Sequence, residues 1–386
     1  MSCISGETTR EQFLENIYSK SKSESSRELA KAAIGQFDLF CKDVFKNDGA
    51  DETLKDVKKE IENTLNSDKI LILLNKFVIW LGEDHPHLLK RTGHKNSPPR
   101  LITARMPSTI KSYFGIVRDY VEDVGGIELN ERKIRRKIKL PTVEEEDDPE
   151  PFTHEELKLF LDNATPDKRL LYMVLKDSGM RIGETCQLRK RDFDVSKDPV
   201  EIHLPAKITK GKKARIAFVT LETKPALIHR LKKMNPDDLV FGSQENKRFA
   251  AENERSNFNY LRSKIGKIEP KVLEKYEHNN RYKKNIHSLR SFTATQAEEV
   301  HGEDYAHGLI GHKKYLAQYI RNKKKLPVLY KKLEPKLLIY EKVEILESNE
   351  NEQFIAMKKQ LDLQGAMIRE MQKNQNHFNK NSDIKN

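Results

Sequence analysis

The sequence predicts a mainly α-helical protein with a small antiparallel β-sheet. Three observations carry that class. Apolar residues recur at helical spacing through most of residues 8–140. A capping signature, Thr153 followed three residues later by Glu156, opens a second helical series. One stretch alone, 202–220, falls into the short runs typical of a sheet. At 386 residues the chain has room for two or three domains.

Taken in order, residues 9–18 form a short helix. Over 26–44, Leu29, Ala32, Ala33, Phe37 and Phe40 repeat at helical spacing. The run 70–81 is apolar nearly all round, as a buried helix is. Pro98-Pro99 and Pro107-Ser108 punctuate the chain. Ser108 has N-cap chemistry for a helix through Val121. Ile110, Tyr113, Phe114, Val117 and Tyr120 or Val121 lie on one side of it, and core packing is the ordinary meaning of such a stripe. Its polar side carries Lys111 and Arg118, residues suited to meeting phosphates.

The densest basic run, 132–139, contains Arg132, Arg135 and Arg136. Two readings stand for it: a solvated face or linker start, or contact with a nucleic-acid backbone. Residues 144–151 are acid and proline and cannot pack, which makes them a linker. The expected organisation is a helical domain over 1–140, a linker over 141–151, a second domain over 152–335 and a helical tail over 336–386.

In the second domain Leu157, Phe160 and Leu161 begin the apolar face of the capped helix. A second helix covers 170–175, Asp177-Ser178-Gly179 is a helix stop or turn, and residues 180–184 lead into another helix that ends near Leu188. Strands are expected at 202–204, 206–209 and 215–220, with Lys210-Gly211-Lys212-Lys213 as a hairpin turn. Helices return over 225–234, 254–265 and 291–300. Beyond Tyr330, Phe354, Leu361 and Ile368 are spaced by seven, as are Met357, Gln364 and Met371. These are two short heptads, broken by Gln364. The final dozen residues are rich in Asn and Lys and carry the composition of a disordered end.

The formal net charge of +12 favours a polyanionic partner, with DNA or RNA ahead of an acidic membrane surface. Three widely separated cysteines, Cys3, Cys41 and Cys186, make neither a disulfide framework nor a cysteine zinc site and fit a reducing compartment. The longest apolar run is too short to span a bilayer, which takes ~20 apolar residues. No apolar signal core follows the N-terminus, so the expected location is intracellular, in the cytoplasm.

The chemistry concentrates late in the chain. His287 and Arg290 stand one helical turn apart, followed by Gly311-His312 and Tyr319. An Arg offers a fork of donors that matches phosphate oxygens. A His moves protons near neutral pH, and a Tyr hydroxyl is a covalent nucleophile once deprotonated. No Gly-rich phosphate loop and no carboxylate cluster for Mg²⁺ stands nearby. The combination points to phosphoryl transfer onto a side chain without metal.

These residues resemble the tyrosine recombinase (phage-type integrase) family. The stretch Ser178-Gly179-Met180-Arg181-Ile182-Gly183-Glu184, with Leu188 and Asp192, is similar to its first box, whose Arg is catalytic. The stretch Lys210-Gly211-Lys212-Lys213-Ala214-Arg215 resembles its β-hairpin, whose leading Lys is catalytic. His287-Ser288-Leu289-Arg290 with Ala294-Thr295 is similar to the second box, where both His and Arg act. Leu309-Ile310-Gly311-His312 resembles the following Leu-Gly-His segment, and Tyr319 stands where the nucleophile belongs. The likeness covers residues 153–330. The N-terminal part, through Ser108-Thr109-Ile110-Lys111-Ser112-Tyr113, is less specifically similar to the family's core-binding domain. In the common bacterial form the tyrosine stands nine residues after the histidine, where this chain has Arg321. Tyr319 stands seven after, a spacing that looks more like archaeal integrases. Tyr315 is the main competitor and Tyr330 a distant one.

The resemblance implies a recombinase that cuts and rejoins duplex DNA without metal, ATP or cofactor. Arg181, Lys210, His287, Arg290 and His312 would serve Tyr319, while Glu184 would orient a neighbour or cap a packing contact and not move protons. Lys111, Arg118, Arg132, Arg135 and Arg136 would contact DNA. Partners would be double-stranded DNA and the chain itself, four copies in the synapse and a monomer or dimer when free, with no membrane. Two other readings remain: a type IB-like topoisomerase, and a non-catalytic DNA-binding protein of the same fold.

Overall fold

A computed structural model describes residues 8–90, 100–143, 149–242, 244–277, 279–312 and 323–340. These divide into two compact units. One holds the described residues up to Glu150 together with those between Ser243 and Asn285; the other holds Pro151–Gly242 and the described residues from Ile286 onward. Among the described residues, no helix is long and apolar enough to cross a membrane.

The first unit starts with helices α1 (Arg10–Ser21), α2 (Glu24–Val44), α3 (Ala50–Thr64) and α4 (Asp68–Leu81). Thr9 caps α1 in a reciprocal box with Gln12, which satisfies donors that a helix start leaves open. The apolar run of α4 supplies the centre of the core: Phe77 packs edge-on to Phe37 at 5.0 Å and tilted to Phe40 at 5.4 Å. Each fully buried Phe contributes about 1.5–3 kcal/mol of transfer free energy. The run is not apolar for burial on every side, since Ile72 and Ile79 are exposed.

Strands β1 (His85–Lys90) and β2 (Arg100–Ile102) follow and pair antiparallel. They interrupt a stretch whose sequence reads as nearly all helix, because Gly82 ends α4 and Pro86 cannot donate to a helical ladder. Helix α5 (Pro107–Asp123) starts one residue before the expected cap. Met106 is the cap and Pro107 takes the first helical position, where its missing N–H is harmless. Ile110, Phe114, Val117, Tyr120 and Val121 are buried, so the aromatic stripe is core. The basic run forms helix α6 (Glu131–Lys137), capped by Asn130 and anchored by buried Ile134. The later segment of this unit carries α11 (Lys247–Ile265).

The second unit opens with α7 (His154–Asn163), where the Thr153–Glu156 capping box forms as expected. Then come α8 (Pro166–Ser178), the single turn α9 (Ile182–Thr185), strands β3 (Phe193–Asp194), β4 (Val200–Leu204) and β5 (Arg215–Val219), and α10 (Lys224–Leu231). The three strands form one antiparallel sheet in the order β3-β4-β5. Residues 206–209 are turn and not strand: Thr209 Oγ1 bonds the carbonyls of Ala206 and Lys213 and closes the hairpin loop on itself. The last described helices of the unit are α12 (Ser288–His301), α13 (Glu303–Ile310) and α14 (Leu326–Leu337).

Helix α8 is the spine of this unit, buried from Leu170 through Ser178. Its fully buried Lys176 Nζ donates to Asp177 at 2.6 Å and to the Leu337 carbonyl at 2.7 Å. Asp177 accepts from the Thr220 N–H at 3.0 Å and from the Thr223 hydroxyl at 2.5 Å. The paired charges tie the ends of α8, β5, α10 and α14 together without leaving a buried ion unmatched. Thr293 of α12 donates to the Lys176 carbonyl at 2.5 Å, which sets the register of α12 on α8.

Candidate active site

The site begins at a helix stop. Gly179 ends α8 with φ of +59°, a left-handed conformation that glycine takes without a Cβ penalty. A Cβ there would lie 2.8 Å from Ile310 Cγ2, so space and backbone both demand glycine. The Gly179 carbonyl accepts from Arg290 Nη1 at 2.6 Å. Arg290 is buried, and its Nη2 has no acceptor among the described residues. Burial, then the like charges of Arg181 and Arg215, pull its pKa down to about 9 against the opposing pull of Glu184.

Past the stop, Arg181 precedes α9, and Glu184 within that turn is almost completely buried. Its carboxylate gathers three segments. Arg181 Nη1 lies 3.4 Å from Oε1, the Lys210 backbone N–H donates to Oε1 at 3.2 Å, and Arg215 Nη2 donates to Oε2 at 2.8 Å. Burial by itself raises the carboxyl pKa. The charge and hydrogen bond of Arg215, the charge of Arg181 and the Lys210 N–H overcome it and hold the value at about 2. Glu184 is therefore a fixed anion at neutral pH, holding cations in place. The Lys210 side chain stays exposed on the loop between β4 and β5.

Arg215 was not among the residues expected at the site. Its signal lies in the strand period: Arg215 shares a face of β5 with buried Ala217 and Val219, and a charged residue on a buried face needs a partner. Gly311 lies against it. With φ of +79°, a Cβ on Gly311 would sit 2.9 Å from both Cζ and Nε of the guanidinium. Arg215 Nε is a second buried nitrogen without an acceptor among the described residues.

The His312 N–H donates to the His307 carbonyl at 2.8 Å, where α13 ends. The two rings stack with centroids 4.7 Å apart, and their Nδ1 atoms approach to 2.6 Å. His307 Nε2 lies 3.6 Å from the Glu303 carboxylate. His287 stands directly before α12, and its carbonyl accepts from the Arg290 N–H at 2.9 Å. Tyr319 and Tyr315 lie outside the described residues. Tyr330 is fully buried, packs on Phe218 at 5.0 Å and donates its hydroxyl to the Asp177 carbonyl at 3.0 Å. It is a core residue and cannot serve as the nucleophile in this fold.

Residues 150–325 match the profile of the phage integrase family. This segment is a phage integrase family domain. Solved structures of similar fold include a lambda integrase dimer bound to a COC′ core site, with TM-score 0.51, 12% identity, and 80% of this chain and 75% of that one covered. A lambda integrase tetramer bound to a Holliday junction gives 0.50 and 14%, over 78% and 76%. Lambda integrase residues 75–356, as a dimer bound to a COC′ core site, give 0.50 and 12%, over 80% and 94%. At such identities the likeness is one of fold. No curated protein sequence matches the chain.

Within the integrase domain, Arg181, Arg215 and the Lys210 backbone thus bond Glu184, Arg290 lies within reach of their charges, and Gly311 lies against Arg215. Of the basic residues expected outside the integrase domain, Lys111, Arg132, Arg135 and Arg136 are exposed. Arg118 differs. Its Nη2 binds Asp119 at 2.7 Å and its Nη1 binds Glu131 at 2.9 Å, because α6 brings Glu131 against α5.

Proposed function

We propose that the chain is a tyrosine-type site-specific DNA recombinase that cuts and rejoins duplex DNA through a 3′-phosphotyrosyl intermediate, without metal or ATP. One observation carries the reading beyond family and fold. Arg181 and Arg215 bond a single carboxylate, Arg290 feels its charge, and one buried nitrogen each of Arg215 and Arg290 lacks an acceptor among the described residues. Such donors demand a match, and a phosphate presents oxygens of the required charge and geometry.

In this reading Tyr319 Oη attacks the scissile phosphorus and becomes esterified to it. The tyrosine proton passes to His287. The bond from phosphorus to the 5′-oxygen breaks, and Lys210 delivers a proton to that oxygen. Arg181 and Arg290 hold the non-bridging oxygens, where charge accumulates in the transition state. His312 adds a hydrogen bond. Attack by another strand's 5′-hydroxyl reverses the steps and releases the tyrosine, so the phosphoester bond energy is conserved. The seven-residue spacing from His312 to Tyr319 supports the archaeal-like form.

Residues 1–140 would act as the core-binding domain, 141–151 as the linker, 152–335 as the catalytic domain, and the tail over 336–386 would pass to a neighbouring copy. Partners are duplex DNA and three further copies in a synapse, in the cytoplasm. The basic residues Lys111, Arg132, Arg135 and Arg136 would track the backbone. A type IB-like topoisomerase would use the same chemistry as a monomer, and relaxation of supercoils without a specific site would reveal it.

The test is a nicked suicide duplex carrying a cognate site or a pool of candidate sites, in EDTA. Wild type is expected to form a covalent protein–DNA band that Tyr319→Phe abolishes. Loss in Tyr315→Phe alone moves the nucleophile to Tyr315. Salt-sensitive binding to a known cognate site without any adduct makes the chain a binder.

A further inference from the structure

We propose that Asp43, His85 and His87 form a site for a divalent transition metal of the zinc class on the N-terminal helical unit. Asp43 lies in the last turn of α2, and His85 and His87 lie on β1. As residues i and i+2 of a strand, the two histidines share one face, and their ring centroids are 5.9 Å apart. One ligand atom from each of the three residues lies within 4.8 Å of the other two.

Two of the three ligands are held from behind by a single residue, Trp80. Its indole N–H donates to Asp43 Oδ2 at 2.9 Å. Its carbonyl lies 2.7 Å from His85 Nε2, and its indole stacks on the His85 ring at 4.2 Å. A carbonyl only accepts, so His85 carries its proton on Nε2 and keeps the lone pair on Nδ1. A ring nitrogen bonded to a backbone carbonyl is the usual support of a metal-binding histidine, because it fixes tautomer and ring orientation together. The second Asp43 oxygen, Oδ1, lies 2.9 Å from His87 Nε2. Nearby Lys46 directs its ammonium to the Asp43 main-chain carbonyl and leaves the carboxylate to Trp80 and His87.

Two imidazoles and one carboxylate form a donor set that suits zinc and its neighbours, whereas Mg²⁺ and Ca²⁺ call for oxygen shells. Three protein ligands leave a fourth position for water. His85 is buried, whereas His87 is exposed and gives the ion a route in from solvent. An ion here would pin the end of α2 to β1, elements separated by α3 and α4 in the chain. The recombination chemistry proposed above uses none of these residues, and either idea can fail without the other.

The test is Zn²⁺ binding to the full chain after EDTA stripping, by equilibrium dialysis with metal analysis, and with Co²⁺ as a visible-absorbance probe of coordination. Wild type is expected to bind one equivalent at this site, and Zn²⁺ is expected to raise its melting temperature. His87→Ala and Asp43→Asn are each expected to weaken that binding by more than tenfold, since even loss of an outer-shell partner costs about 10–100-fold. His87 is exposed, so its substitution leaves the fold intact, and an unchanged circular dichroism spectrum checks that. His312→Ala should leave the equivalent in place. Failure of wild type to bind, affinity unchanged in His87→Ala, or loss in His312→Ala alone would each overturn the proposal.

Discussion

His307 Nδ1 lies 2.6 Å from His312 Nδ1, with the two rings stacked. Two lone pairs or two N–H groups at that distance repel, so one proton sits between the nitrogens. The Glu303 carboxylate, 3.6 Å from His307 Nε2, favours a proton on that far nitrogen. The arrangement expected in solution is therefore acceptance at His307 Nδ1 and donation by His312. Neutral His312 presents a lone pair at Nε2, and donation from Nε2 to a phosphate requires its imidazolium form. His307 is thus a positioning residue. Histidine-selective NMR of the free protein is expected to show His312 as the Nδ1–H tautomer, and His307→Phe to abolish that preference while keeping the stack. The same variant should slow covalent adduct formation roughly tenfold, less than the ~10²–10⁴-fold supplied by a directly acting acid or base. An unchanged tautomer in His307→Phe would refute the role.

Arg290 sets function against stability. Its charge is buried, its pKa is pulled down to about 9, and one of its nitrogens lacks an acceptor among the described residues. Arg290→Met is expected to raise the melting temperature by roughly 2–4 °C. In single-turnover cleavage it should lower the rate by about 10²–10³-fold, the effect of removing one transition-state donor. A destabilised Arg290→Met protein would mean that the bond to the Gly179 carbonyl outweighs the burial penalty.

Glu184 gives a pH signature of opposite origin. Its folded pKa of about 2 lies below the ordinary 4.5, so its stabilisation is fully present above about 4.5 and is lost as pH falls toward about 2. The shift corresponds to on the order of 3 kcal/mol. Denaturant unfolding followed across that window should show a steeper loss for wild type than for Glu184→Gln. Parallel curves would show that the carboxylate is not held by Arg215 and Arg181 in solution.

The exposed arginines of α6 and the engaged Arg118 of α5 separate two kinds of basic residue. Arg135→Ala and Arg136→Ala are each expected to weaken DNA binding and to reduce the magnitude of the salt-dependence slope by about one. Arg118→Ala should change the slope less, because Asp119 and Glu131 already neutralise it. Equal slopes for all three variants, measured by titration across salt concentrations, would place the DNA elsewhere.

Much of this fold is written in local chemistry. The period of apolar residues gave α1, α2, α4 and α5 but not α3 or α6, and Thr153 with Glu156 marked the start of α7 to the residue. Those features depend on neighbours three or four positions away, which any sequence displays. The boundary of α5 was displaced because Pro107 and Ser108 compete for the same start, and Pro107 takes the first helical position. The β1–β2 pair went unseen because β2 is three residues long, too short to establish a period.

The sequence by itself determined the helical class and the basic character, and it singled out Arg181, Lys210, His287, Arg290, His312 and Tyr319 as the candidate set for phosphate chemistry. Only the tertiary structure decided what holds that set. Glu184 was expected to orient a neighbour or cap a packing contact, and only the fold showed one partner to be Arg215, thirty-one positions away. Gly311 was the glycine of a Gly-His pair, and only the fold placed its backbone against the same guanidinium. Tyr330 was a distant competitor for the nucleophile until burial removed it from the chemistry. Burial and pairing are properties of neighbours in space. They shift a carboxylate down, an arginine down and a tyrosine out of reach, and none of that is encoded in spacing along the chain.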